Sequence, residues 1–232
     1  MRRLNPMTWQ DMVAGVKEEF LGSKHTQNIA LSLAALLVLV GGYLGYRWYV
    51  QQREERAQLV FAAAVDLAQQ ALKSESDQQA GSVTWQDVEM AFKIGYDQNK
   101  SSYLAPYFLA FQAEALLRQR RQEEALSLMN EVLSQLSTSD QLYDQYFLKR
   151  ACIKLDSADE QIKKQGLDEL TSIADKADSL FKEPAEYYLG EYYWANQQFD
   201  KARDTWLALT AENTKGEPSV WKEAAIAKLN QF

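Results

Sequence analysis

A run of 21 residues without a charged side chain, from Thr26 to Tyr46, is the feature that most limits how this chain folds. Its centre consists largely of Leu, Val, Ile and Ala. As an α-helix the run would be roughly 31 Å long, which matches the thickness of the bilayer hydrocarbon core. Arg47, Trp48 and Tyr49 follow it, and basic and aromatic residues are enriched at membrane surfaces. The pattern predicts one transmembrane helix over residues 26–49.

A cleavable signal peptide is the alternative explanation of this run. Such a peptide has a short basic start and a small-residue cleavage site after the apolar stretch. Here 25 residues precede the run, and bulky Tyr, Arg and Trp residues follow it. The sequence therefore favours an uncleaved anchor.

Basic residues near the span predict its orientation. Four precede it, at positions 2, 3, 17 and 24, and three follow closely, at positions 47, 53 and 56. Because Lys and Arg are enriched on the cytoplasmic side of membranes, the difference of one favours a cytoplasmic N-terminus. We expect residues 1–25 to be a cytoplasmic segment and residues 50–232 to form a domain on the other side of the membrane.

The segment before the span is amphipathic. Large apolar residues recur there at spacings of three and four: Trp9, Met12, Val13, Val16 and Phe20. This spacing predicts a short helix that lies on the membrane surface.

Two glycines within the span are candidates for a contact between membrane helices. Gly41 and Gly45 form a G-x-x-x-G pattern, which lets two helices approach closely because side-chain bulk is missing. The pattern is short, and glycine is common in membrane helices.

Composition excludes several classes of function. One His and one Cys, His25 and Cys152, are too few for a four-ligand zinc site of Cys and His or for a disulfide within the chain. The net charge of −7 provides no basic surplus for binding nucleic acid. Phosphate-binding glycine loops and nucleophile motifs are missing from the sequence. We predict a protein that is not an enzyme, has no cofactor and binds no nucleic acid.

Apolar residues after position 50 recur at helical spacing and predict an all-α domain. The segment Lys73–Val83, rich in Ser, Gln and Asp, is predicted to be a loop. Three helical hairpins are predicted beyond it: Tyr103–Gln119 with Gln122–Leu136, Leu142–Leu155 with Gln161–Ala174, and Ala185–Ala195 with Asp200–Leu209. Such a recurring unit is typical of an α-solenoid.

The third hairpin resembles the tetratricopeptide repeat. Gly190, Tyr193, Ala202 and Trp206 have the spacing of the residues that pack the two helices of that repeat. In the first hairpin Ala113 and Ala125 are likewise twelve residues apart. In the second, Ala151 and Gly166 are fifteen apart, which predicts about three extra residues in its turn. The predicted fold is one N-terminal transmembrane helix followed by a TPR-like α-solenoid.

The resemblance also implies a binding groove. In tetratricopeptide domains the first helices of successive hairpins line a concave face that binds partner segments. The corresponding positions here are Tyr107, Glu114, Arg118, Tyr187, Glu191 and Trp194, with Cys152 and Leu155 in the middle hairpin. The alternative is that the aromatic residues between 187 and 194 are packing residues of a small aromatic core.

The layout of the whole chain is similar to that of the ancillary subunits of the bacterial Sec translocon. The similarity includes Val16–Phe20, Gly45–Tyr49, the repeat domain and a closing helix over residues 224–230. It implies a single-pass inner-membrane protein whose periplasmic domain, residues 50–232, links translocation channel subunits to periplasmic chaperones or emerging substrates. The alternatives are an envelope-assembly adaptor and a self-assembling membrane scaffold, the latter a homo-oligomer.

Overall fold

The computed structural model describes residues 24–77, 83–140, 142–211 and 219–232. These residues form nine α-helices and no strand, which confirms the all-α class. The helices are α1 (Lys24–Asp77), α2 (Trp85–Gln98), α3 (Ala105–Arg118), α4 (Gln122–Gln135), α5 (Tyr143–Leu155), α6 (Glu160–Ala174), α7 (Lys182–Ala195), α8 (Phe199–Ala211) and α9 (Val220–Leu229). The amphipathic helix predicted between residues 8 and 21 lies outside the described residues.

The chain divides into two compact units, residues 1–55 and residues 56–232, and helix α1 contributes to both. In the first unit the large apolar side chains of α1 from Ile29 to Leu44 are exposed. Within the described part of the chain, α1 is the one helix long and apolar enough to cross a membrane. Gly41 and Gly45 lie on this stretch, and a β-carbon at either position would meet no neighbouring atom within 4 Å.

In the second unit α1 has a buried stripe of small residues. Ala57, Ala64 and Ala71 are buried at a spacing of seven residues, which keeps them on one face of the helix. Between them Phe61 packs edge-on against Phe92 and Phe108, with ring centroids 5.8 and 5.1 Å apart. This face fixes the C-terminal part of α1 against α2 and α3.

Helix α1 also continues further than the sequence indicates. Residues 73–77 are helical, so the prediction of a loop that begins at Lys73 is wrong for these five residues. Lys73 and Glu75 lie past the last buried alanine, Ala71, and are exposed, as suits the end of a helix as well as a loop. Glu75 forms an ion pair with Arg118 at 3.7 Å, which ties this last turn to α3.

The core of the second unit is a series of four hydrophobic clusters, each shared by three consecutive helices. The cluster of α3, α4 and α5 contains Leu109, Ala113, Leu116, Ala125, Met129 and Val132. The cluster of α5, α6 and α7 contains Leu148, Ala151, Leu170, Ile173 and Leu189. The two helices of each of the first two predicted hairpins therefore share a hydrophobic cluster, and each helix is held by its neighbours in the sequence.

The hairpins α3–α4 and α7–α8 share the same turn. Arg120 and Gln197 have positive φ angles of 61° and 60°. In each turn the next residue donates its N–H to a carbonyl five residues earlier, Arg121 to Leu116 and Gln198 to Tyr193, both at 2.9 Å. This is the hydrogen-bond pattern that closes a helix with one left-handed residue. Positions 120 and 197 are 77 residues apart, as are Ala113 and Gly190.

The middle hairpin α5–α6 is built differently. Its connection, residues 156–159, is only one residue longer than residues 119–121 of the first hairpin, so the prediction of about three extra residues in the turn is wrong. The start of α6 is extended instead: α6 begins six residues before Gly166, whereas α4 begins three before Ala125. Asp159 caps α6 by accepting hydrogen bonds from the N–H groups of Gln161 and Ile162 at 2.7 and 3.3 Å. A β-carbon on Gly166 would lie 2.8 Å from the carbonyl oxygen of Ala151, so glycine permits this close helix contact.

Candidate functional site

A cavity of about 620 Å³ lies in the second unit where residues of the alternate helices α3, α5, α7 and α9 meet. Binding pockets for small ligands and peptide side chains have volumes of about 300–1,000 Å³. The cavity has an apolar side and a polar side, and each is positioned by different helices.

The apolar side, called the apolar wall below, consists of Leu180, Phe181, Pro184, Tyr188 and Trp221. Leu180 lies in the connection between α6 and α7 and is 89% exposed. Within the wall Tyr188 of α7 packs against Trp221 of α9, with ring centroids 5.5 Å apart. Apolar side chains from two helices and a connection thus converge on one open space.

The polar side of the cavity includes an ion pair between two helices. Lys149 of α5 donates to the carboxylate of Glu114 on α3. Arg118, one turn further along α3, lies 3.8 Å from Glu114 and 3.7 Å from Glu75, with its guanidinium over the ring of Trp85 at 5.3 Å. Glu114 is therefore neutralised by cations on either side.

The floor of the cavity is neutral and poorly suited to covalent chemistry. Burial raises the pKa of the Cys152 thiol to about 12, and the nearby charge of Asp156 adds to the effect. Burial also raises the pKa of Tyr188. Because only the thiolate is a good nucleophile, Cys152 is a packing residue near neutral pH. Within the described ranges no group of three or more His, Cys, Asp or Glu side chains could hold a metal ion.

The residues predicted for the groove do not all lie at this cavity. Glu114 and Cys152 line the cavity, and Arg118 reaches it through its contact with Glu114. Tyr107 instead packs beside the core of α3, α4 and α5, with its ring 6.3 Å from that of Tyr146.

The three predicted groove residues of α7 lie at a second site, the C-terminal aromatic cluster of Tyr187, Trp194, Phe199, Trp206 and Phe232. Trp206 is fully buried there, and its indole N–H donates to the carbonyl of Tyr187 at 3.2 Å. Trp194 lies between Trp206 and Phe232, with ring centroids 6.0 and 5.0 Å away. Glu191 forms an ion pair with Lys228 of α9 at 2.8 Å. These are the contacts of packing residues.

Sequence reasoning missed Leu180, Phe181, Trp221 and Asp156. One signal was available, since Leu180 and Phe181 are large apolar residues in a connection between two helices. Connections lie on the surface, so an apolar pair within one is exposed unless something covers it. No comparable signal exists for Trp221, which reaches the cavity through the packing of α9 against α7.

Comparisons with known proteins do not assign the chain to a family. No protein-family model matches the sequence, and no curated protein matches it.

Proposed function

We propose that this protein is a membrane-anchored, non-catalytic binding protein that captures polypeptide segments in the cavity between α3, α5, α7 and α9. The apolar wall carries this proposal. Leu180 is 89% exposed and lines the cavity together with Phe181 and Trp221, which are half-buried. A cavity lined by apolar side chains that keep part of their surface accessible is the usual form of a binding site.

The repeating geometry supports a TPR-like solenoid as the scaffold of this site. The two turns at Arg120 and Gln197 are the same, and Ala113 and Gly190 occupy equivalent positions before them. The cavity is lined by α3, α5, α7 and α9, the alternate helices that would form the concave face of such a solenoid. A peptide that crosses this face would contact several helices at once, which is the mode that helical repeat arrays use.

The resemblance of the sequence to ancillary subunits of the bacterial Sec translocon supplies the partners in this proposal. The protein would be anchored in the inner membrane by α1, with its N-terminus in the cytoplasm and its helical domain in the periplasm. It would hold periplasmic chaperones or emerging substrates near the translocation channel. Anchoring raises the effective concentration of the site beside the channel, so weak binding in the cavity would suffice.

Site-specific photocrosslinking of the full-length protein in cells tests this proposal. A photoreactive amino acid replaces Gln145, which lines the cavity, or Asp168, which is exposed on α6 and is the matched control. We expect channel subunits, secreted polypeptides in transit or periplasmic chaperones to crosslink to position 145 and much less to position 168.

Two results would contradict the proposal in different ways. Crosslinks to cytosolic proteins would reverse the topology. Recovery of the protein alone would favour the self-assembling scaffold, and a second variant with Gly41→Leu and Gly45→Leu would then show whether assembly depends on the open glycine face of α1.

A further inference from the structure

The cavity contains one charged side chain that the chain itself leaves without a partner. Three charged residues line it: Glu114, Lys149 and Asp156. Glu114 and Lys149 form an ion pair with each other. Through the described ranges the carboxylate of Asp156 has neither a hydrogen bond nor an ion pair. The unbalanced charge at this site is therefore negative.

The position of Asp156 strengthens this negative potential. Asp156 is the C-cap residue of α5, so it lies beside the last carbonyl groups of that helix. Those carbonyls carry the negative end of the helix dipole, where an acidic side chain is unfavourable and a cation is favoured. Lys154 is the basic residue of the last turn, but it is directed to Glu169 at 2.8 Å. The end of α5 thus lacks the cation that a helix C-terminus usually attracts.

Asp156 is exposed and lines the cavity, so a group that enters the cavity can reach its carboxylate. Cys152, which is half-buried, lines the same cavity, and the negative charge of Asp156 contributes to raising the pKa of its thiol. An ion pair with an exposed carboxylate is weak but measurable at low salt, and added salt screens it. A positively charged group that enters the cavity would therefore be attracted to the end of α5.

We propose that the cavity selects peptide segments in which a large apolar side chain is accompanied by a nearby Lys or Arg. This inference rests on the proposed function, since it names the chemistry of the segment that the cavity would capture. The apolar side chain contacts Leu180, Phe181 and Trp221, and the basic side chain pairs with Asp156 at the end of α5.

Two labelled peptides that differ in one residue test the inference. Both contain a central Leu-Phe pair, and one has Lys where the other has Glu. Binding to the full-length protein in nanodiscs of zwitterionic lipid is measured by fluorescence anisotropy, because acidic lipids would themselves attract the Lys peptide. We expect the Lys peptide to bind about threefold to tenfold more tightly than the Glu peptide at low salt. We also expect this preference to shrink near 1 M salt, where the screening length is about 3 Å.

Matched variants separate the role of Asp156 from general charge. Asp156→Asn should reduce the ratio of the two affinities to about one, whereas Asp168→Asn, the same change on the exposed face of α6, should leave it unchanged. Since Asp156 opposes the dipole of α5, Asp156→Asn should melt at the same temperature as the wild type or slightly higher. A preference for Lys that survives in Asp156→Asn would overturn the inference.

A third variant separates this inference from the proposed function. Leu180→Asn should weaken both peptides and preserve their ratio. If both peptides bind the wild type equally and Leu180→Asn weakens both, the cavity captures peptides and the charge selection is wrong. If the folded wild type binds neither peptide, the proposed function and the inference fail together.

Discussion

The apolar wall of the cavity and the C-terminal aromatic cluster are made of similar residues but have opposite relations to solvent. In the cluster Trp206 is fully buried and packs against Tyr187 and Trp194. In the wall Leu180 is 89% exposed, and Trp221, which is half-buried, packs against Tyr187 and Tyr188. One region stabilises the fold, and the other has apolar surface left for a ligand.

Two adjacent tyrosines of α7 belong to these two different regions. Tyr187 packs against Trp206 in the cluster, whereas Tyr188 lines the cavity. Successive residues of an α-helix are about 100° apart around its axis, so neighbours on the chain face different surroundings. Residue type alone does not distinguish a packing tyrosine from a binding tyrosine.

The largest effect is expected from removing the centre of the closed cluster. Trp206→Ala should lower the free energy of unfolding by about 3–5 kcal/mol, because it leaves a cavity where a fully buried indole was. Urea unfolding of the full-length protein in detergent, followed by circular dichroism, measures this loss. Trp221→Ala is the control in the open wall and should cost less than half as much. Equal costs for the two variants would mean that the wall is also part of the core.

A smaller loss of stability is expected from adding a side chain at Gly190, which contacts Trp206 in the cluster. A β-carbon on Gly190 would overlap the indole ring of Trp206, so Gly190→Ala should destabilise the domain by about 1–3 kcal/mol. The better helix propensity of alanine offsets part of this cost. Gly45→Ala is the matched control, since no neighbouring atom lies within 4 Å of its β-carbon position. In urea unfolding the Gly45→Ala variant should have the same free energy of unfolding as the wild type. If the Gly190→Ala variant is also as stable as the wild type, α7 and α8 can move apart at little cost.

Changing the open wall should affect binding far more than stability. Leu180→Asn removes an exposed apolar side chain, and such surface changes usually alter stability by no more than about 0.5 kcal/mol. The melting temperature should therefore stay close to that of the wild type while peptide binding weakens. A large fall in melting temperature would assign Leu180 to the core.

The last prediction concerns the reactivity of the Cys152 thiol in the cavity. With a pKa near 12, Cys152 is deprotonated in only about one molecule in ten thousand at pH 8. Alkylation by iodoacetamide at that pH should be at least about tenfold slower in the folded protein than in urea, because the thiolate is the reacting form. Mass spectrometry of timed samples measures both rates. Equally fast alkylation of the folded protein would show that the floor of the cavity is open and polar.

Much of the fold follows from local sequence patterns. The hairpin helices begin and end within a few residues of their predicted bounds, because apolar residues recur along them at helical spacing. Glycine and alanine positions such as Gly166 and Ala151 also indicated where helices approach closely. The last turn of α1 was missed because its polar residues fit a loop as well as a helix; its contact with Arg118 is visible only in the folded chain.

The site was less predictable than the fold. Alignment to a tetratricopeptide repeat selected Glu114 on α3 and Cys152 on α5, and both residues line the cavity. It did not predict which residues pack against α7, where Trp194 contacts Phe232 and Glu191 pairs with Lys228. Those partners come from the end of the chain, and no local pattern predicts which face of α7 they cover.

The sequence by itself determined the all-α class, the apolar helix suited to a membrane and the pairing of neighbouring helices, because each depends on the spacing of apolar residues along a short stretch. Only the tertiary structure decided which aromatic side chains are closed in the cluster around Trp206 and which remain open beside Leu180. It also placed Asp156, at the end of α5, next to that apolar wall. Both outcomes depend on contacts between segments that are distant in the chain: such contacts bury a side chain, and they bring a charged residue such as Asp156 beside apolar ones.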